Sequence, residues 1–135
     1  MEDAKTKQYP LMLLTPQSRF RIHYMLQDVA SARECYRHGV IISAADAKAR
    51  GIKDGDIVRI WNDQGQSARP AYVTNRLMPG IVQMRTGIEF NFTRSGLDTG
   101  GCVNIFTGGD DISPVTPAKI TNLVDVERYL PGDEF

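Results

Sequence analysis

Apolar positions along this chain come in short runs, each cut off within a few residues by glycine, proline or a polar turn. Tyr9 to Leu14 predicts a first strand, which ends at Thr15-Pro16-Gln17-Ser18, where proline and hydroxyl side chains favour a turn. Gly39 to Ile42 predicts a short buried strand that runs into a helix at Ser43. Ser43 and Asp46 stand at capping-box spacing, with Asp in place of the usual Glu or Gln. Ala44 to Arg50 is rich in helix formers, and Gly51 is placed to stop the helix in the left-handed conformation that glycine adopts cheaply.

Asp54-Gly55 then predicts a tight turn and Asp56 to Asn62, alternating and rich in Ile, Val and Trp, a half-buried strand. A hairpin at Asp63 to Gln66 returns the chain through Ser67 to Thr74. Pro70 inside that strand argues for an edge position or a bulge, because proline donates nothing to a ladder. Met78-Pro79-Gly80 turns the chain into Ile81 to Arg85. Six glycines then fall between Gly87 and Gly109, which predicts irregular backbone around the brief apolar runs Ile88 to Phe92 and Cys102 to Phe106. Ile120 to Val126 predicts a closing strand. Trp61, on a hairpin strand, is expected in the core.

Many short strands with one or two short helices point to a mainly β domain closed into a barrel, since closure removes the edges such strands would otherwise expose. At 135 residues the chain is one domain's worth. The barrel is expected over residues 9–130, with 1–8 a disordered lead-in or the boundary of a longer chain, and 131–135 a frayed tail.

Composition narrows the function by exclusion. Sixteen basic residues balance sixteen acidic ones, so no global field draws in nucleic acid or an anionic membrane. The longest apolar stretch, Leu11 to Leu14, is far short of the roughly 20 residues that span a bilayer, and no secretory apolar region follows the polar start. Cys35 and Cys102 lack zinc-site or disulfide-framework spacing and are expected as two unpaired thiols. With His23 and His38 the only histidines, no hydrolytic triad forms. Asp110-Asp111 and Asp54 with Asp56 flank glycines, as solvated turn residues do, so a self-contained active site is disfavoured.

Three segments suit a ligand better than a reaction. Thr15 to His23 packs two hydroxyls, two guanidiniums and an imidazole behind a strand, a dense donor set for phosphate oxygens, although a solvated basic loop has the same composition. Gly100-Gly101-Cys102-Val103-Asn104 lets backbone approach closely and offers an amide to a heterocycle edge, where a plain turn is the alternative. Asp110 to Pro117 is a polar loop with two prolines.

Taken in order, these segments resemble the C-terminal molybdopterin-dinucleotide-binding domain of the dimethyl sulfoxide reductase family of molybdenum and tungsten oxidoreductases. The resemblance runs from about Tyr9 to Glu127. It is carried by Pro10 to Thr15 with Arg21-Ile22-His23, by Ser43-Ala44-Ala45-Asp46 through Asp54-Gly55-Asp56-Ile57-Val58, and by Asn62-Asp63 with Gly65. Val73-Thr74, Met78-Pro79-Gly80-Ile81-Val82, Gly100 to Thr107 and Thr121 to Glu127 continue it. It implies a six-stranded double-psi β-barrel with short peripheral helices. It also implies a role in holding molybdopterin guanine dinucleotide, shared with other domains or subunits of an oxidoreductase that supply the metal ligand. Thr15, Gln17 and Ser18 would bond the pterin and phosphates, Arg21 and His23 would meet the dinucleotide's charge, and Asn104 would bond the pterin edge with Gly101 allowing close approach. The chain departs from the family pattern at Tyr24, where serine is common, and at Ile88-Glu89-Phe90, where aromatics follow the glycine, so no site is carried across there.

Two functional readings follow. In the first the chain binds cofactor inside a larger oxidoreductase and does not catalyse alone. In the second it is a free-standing double-psi barrel that recognises a protein partner or substrate through the same loops, and an exposed apolar patch on their rim would favour it.

Overall fold

The computed structural model describes residues 2–19, 29–31, 38–107 and 122–130. Six strands, β1 (Leu11–Leu14), β2 (Val40–Ser43), β3 (Ile57–Trp61), β4 (Gln66–Thr74), β5 (Ile81–Gln83) and β6 (Asn122–Arg128), close into a barrel in the order β1-β5-β2-β4-β3-β6. The pairs β1/β5 and β2/β4 are parallel, and the other four are antiparallel. Exchanging the first three strands with the last three maps this set of pairings onto itself. Each parallel pair therefore joins a strand of one half to a strand of the other, the interlocked connectivity of a double-psi β-barrel.

Alternation sorts the strands into an inner and an outer face, as a period of two residues requires. Leu11 and Leu13 of β1, Val40 and Ile42 of β2, Val58 and Ile60 of β3, Val82 of β5, and Val124 and Val126 of β6 all point inward and are buried. Closure leaves each strand two neighbours and thus no open edge, which is why such short strands hold together.

The helix α2 (Ala44–Ala49) starts as its sequence predicts. The Ser43 hydroxyl accepts the Asp46 N–H at 3.2 Å and donates to Asp46 Oδ2 at 2.8 Å, and the same oxygen accepts the Gly80 N–H at 2.8 Å, which ties the cap to the turn before β5. Gly51 takes φ +66° just past the helix. Arg50 reaches from the helix end to Asp125 of β6 at 3.3 Å. Asp54 and Asp56 serve as turn residues: Asp54 accepts the Val73 N–H, and Asp56 accepts the Lys53 N–H and pairs with Arg128.

Three expectations change. Residues Glu2–Gln8 form a helix, α1, in place of the expected lead-in, and Ala4, Lys5, Lys7 and Gln8 are good helix formers. Pro70 sits on no edge. The β3 ladder pairs Gln66 to Pro70 of β4 and the β2 ladder begins at Ala71, so Pro70 stands where the strand changes partners and its missing N–H removes little. Trp61 lies on the outer face of β3, partly exposed, with the Arg59 guanidinium 4.4 Å from its ring centroid. The expected frayed tail 131–135 lies outside the described residues, as do Cys35, the loop 110–117 and most of the segment from Asp28 to His38.

This register predicts unequal effects for neighbouring isoleucines. Ile42→Ala, inside the barrel at 0% exposure, should cost about 2–5 kcal/mol in urea unfolding. Ile41→Ala, on the outer face, should cost about 1 kcal/mol or less. Equal losses would mean that the register is wrong.

Candidate functional site

Strand directions place the long connections together. The ends of β1, β3 and β5 and the starts of β2, β4 and β6 all lie at one rim, so the chain between β1 and β2, the β3–β4 hairpin and the long stretch from β5 to β6 all emerge there. Among the described residues the opposite rim carries α2 with its following turn, the short turn between β4 and β5, the entry from α1 into β1 and the exit from β6.

At the loop rim the first loop is clamped to the chain after β5. Parallel pairing of β1 with β5 continues beyond the strands, with Met84 N–H donating to Leu14 C=O at 3.0 Å and Thr86 N–H donating to Pro16 C=O at 3.1 Å. Thr15 and Gln17 are thereby held beside Thr86 to Phe90.

The second loop is organised by a buried carboxylate. Asp98 is wholly buried and accepts four backbone N–H groups: Asn91 and Gly100 on Oδ1, both at 2.9 Å, and Gly101 and Cys102 on Oδ2, at 2.9 and 3.0 Å. Ser67 of β4 adds its hydroxyl, 3.0 Å from the Asp98 carbonyl oxygen and 3.3 Å from Oδ2. Backbone bonds from Ala68 to Asp98 and from Asp98 to Gln66 lash the residue to the start of β4. Gly101 has φ +89°, and a Cβ there would come within 2.7 Å of His38 Nε2, which lies 2.9 Å from the Gly101 carbonyl oxygen. Only glycine suits both the conformation and the contact.

Arg69 completes the support. Its guanidinium donates to the carbonyls of Thr99 at 2.9 Å and His38 at 2.7 Å. Burial pushes the Arg69 pKa below its ordinary value, against the opposing pull of Tyr72 and Asp98. This network delivers a 3-10 turn, η1 (Val103–Phe106), to the barrel mouth, where Val103 and Phe106 are buried as a plug. Asn62 of the hairpin donates its amide to the Phe106 carbonyl at 3.0 Å, and a side chain on Gly65 would collide with Ile105. With its neighbours turned inward, Asn104 is left exposed at the surface.

A cavity of about 550 Å³ opens between these loops, lined on one side by Thr15 and Gln17, on another by Thr86 to Phe90, and on a third by Cys102, Val103 and Asn104. Two stretches far apart in sequence thus share one cavity. Of the sequence-derived candidates, Thr15, Gln17 and Asn104 line it directly. Gly101 sits buried in the turn behind Asn104, and Ser18 is buried next to Gln17. Arg21 and His23 lie outside the described residues. Sequence reasoning passed over the wall from Thr86 to Phe90, where the glycine at 87 was the available signal. It also missed Asp98, a lone acid in a glycine-rich stretch. Among the described residues no three His, Cys, Asp or Glu side chains gather as a metal site needs, and no helix is long and apolar enough to cross a membrane.

The fold defines the class, a double-psi β-barrel with one loop-bearing rim, and sequence comparison supplies the family. Residues 11–122 match the signature of the "Molydopterin dinucleotide binding domain" family, and the chain belongs to that family. Among relatives, dimethyl sulfoxide reductase DmsA of Escherichia coli K12 is 36% identical over 129 residues, which cover 94% of this chain and 16% of that protein. Trimethylamine-N-oxide reductase of Haemophilus influenzae is 35% identical over 136 residues, covering 93% of this chain and 16% of that protein. The pyrogallol hydroxytransferase large subunit of Pelobacter acidigallici is 33% identical over 144 residues, covering 94% and 16%. The chain thus spans only about 16% of the length of these relatives. Acetylene hydratase from Pelobacter acetylenicus superimposes with a TM-score of 0.73 over 92% of this chain and 19% of that one, at 12% identity, a likeness of fold.

Two predictions test the geometry. Asp98→Ala strands four backbone N–H donors, two of them buried and two part-buried, and should destabilise by about 3 kcal/mol in urea unfolding, whereas Asp98→Asn keeps one acceptor oxygen and should cost less. Equal, small losses would show that the carboxylate holds nothing. Cys102 has its thiol pKa raised, first by burial and further by Asp98, against a backbone hydrogen bond at Asn104. Peptide mapping after iodoacetamide should therefore find Cys102 alkylated slowly at neutral pH, with the rate still climbing above pH about 9.5, where an ordinary thiol of pKa about 8.5 has levelled off.

Proposed function

We propose that the loop-rim cavity holds one end of molybdopterin guanine dinucleotide, with Thr15, Gln17 and Asn104 as its direct polar contacts. The observation that carries this reading is the convergence of the first and second loops on one cavity. Its volume of about 550 Å³ lies within the range of small-ligand sites, roughly 300–1,000 Å³. The donor set also fits the group: a hydroxyl and two carboxamides can donate to and accept from a ring edge or a phosphate, and the amides suit a heterocycle that carries both kinds of group. Ser18 and Gly101 are buried next to this lining, in the first and second loops. Arg21 and His23 are assigned to the diphosphate on the chemistry of their side chains, a guanidinium and an imidazole that hydrogen-bond anionic oxygens.

The parent protein, on this reading, is an oxidoreductase of the dimethyl sulfoxide or trimethylamine-N-oxide reductase type, and other domains or subunits enclose the rest of the cofactor. When bound, the molybdenum or tungsten supplies the redox chemistry. This chain binds the organic part, orients it and keeps water from its edges. The alternative, a protein-recognition module, draws on one observation: Phe90 and Phe92 are exposed at the same rim.

Titrating guanosine diphosphate and, separately, 6-hydroxymethylpterin into the chain while recording backbone amide shifts separates the two, and a response to either probe counts for the cofactor. The cofactor reading predicts movement at 15–18, 86–90 and 101–105, and about a three- to tenfold weaker affinity for Asn104→Ala, the scale of one neutral hydrogen bond. Shifts confined to other surfaces, or an unaltered affinity in the variant, would contradict it.

A further inference from the structure

One wall of the cavity is aromatic. Phe90 lines it, and the Phe90 ring stacks on Phe92 with centroids 5.1 Å apart and planes within 16° of parallel. Both rings are exposed, Phe90 at 45% and Phe92 at 55%. Two neighbouring phenyl rings left in water are unfavourable unless something covers them. The backbone holds them there nonetheless. Asn91, between them, donates its N–H to Asp98 Oδ1, and its carbonyl accepts the Thr99 N–H at 2.8 Å and the Thr99 hydroxyl at 2.9 Å. Phe92 itself forms an isolated bridge with Asp98. The carboxylate that presents Asn104 therefore also presents the aromatic pair.

We propose that Phe90 is a stacking platform for the fused 2-amino-4-oxo ring of the bound heterocycle, whose polar edge is met by Asn104 and Gln17 from the other walls. This rests on the cofactor reading and deepens it by assigning the ring face, which the sequence-derived candidates leave without a partner. An aromatic face is the group that a flat heterocycle needs in addition to edge hydrogen bonds, and it works whatever the substituents on the ring. Phe92 backs Phe90 and limits its freedom before a ligand arrives, so little side-chain entropy is lost on binding. Among the described lining residues Phe90 is the only aromatic. The pterin and the guanine of the cofactor share the same edge chemistry, so either end fits this description.

The test uses the full chain with two probes, guanosine diphosphate and 6-hydroxymethylpterin, and reads both affinity and the shift of the ligand's own ring proton. A ring stacked on phenyl moves that proton upfield, which a merely structural role for Phe90 would not do. The probe that shows the upfield shift identifies the end held here. Phe90→Leu should weaken that probe about tenfold and abolish the shift, while Phe90→Tyr keeps both. Phe90 is exposed, so the thermal midpoint of Phe90→Leu should stay within a few degrees of the parent's. If Asn104→Ala weakens a probe but Phe90→Leu does not, the platform is wrong and the cofactor reading stands. If neither probe perturbs the rim, both fall. Loss of self-association in Phe90→Leu with unchanged probe affinities would also overturn the platform, in favour of a protein contact.

Discussion

Asp98 is a carboxylate taken wholly out of water and surrounded by backbone N–H groups from both sides of a loop, Asn91 on one and Gly100 to Cys102 on the other. Burying an ionised group without partners is prohibitive, so the loop cannot relax away from it without exposing that cost. The result is a glycine-rich stretch, ordinarily the most pliable kind of chain, tied at four backbone amides to one side chain. Everything that faces the cavity from this side inherits its position from that contact: the aromatic wall before it and the 3-10 turn with Asn104 after it.

The barrel supplies the frame that makes such a loop useful. Parallel pairing of β1 with β5 brings the first loop and the chain after β5 out side by side, and antiparallel β6 and β3 bring the hairpin and the last connection to the same rim. The opposite rim is closed by short, capped turns, with Asp46 serving both the α2 cap and the Gly80 amide. One end of the molecule is thus closed by short turns, and the other carries the cavity proposed for the cofactor. Membership of the molydopterin dinucleotide binding family fits that division of labour.

Local chemistry was legible in the sequence wherever a few adjacent residues decide the structure. Ser43 with Asp46, Gly51, Asp54-Gly55 and the hairpin at Asn62 to Gly65 all act through their immediate neighbours, and the strands they bound fall within a residue or two of expectation. Partner choice was not legible. Pro70 reads as an edge residue because a sequence does not reveal that β4 exchanges one neighbour for another at that point. Trp61 reads as core because alternation alone does not say which face of a strand turns inward. Asp98 is passed over as a lone acid, since what fixes it against the barrel is Ser67 at the start of β4, far from it in sequence. Phe90 was set aside because its surroundings depart from the family pattern, yet the cavity makes it a wall.

Amide hydrogen exchange at Asn91, Gly100, Gly101 and Cys102 tests most directly whether the Asp98 carboxylate organises this rim. If it does, these loop amides exchange slowly, on the timescale of Val82 and Val124 inside the barrel, because their release requires the buried charge to lose its partners. Exchange as fast as that of an exposed turn such as 75–77 would contradict the account, and would mean that Asn104 and the aromatic wall are not held in place before a ligand binds.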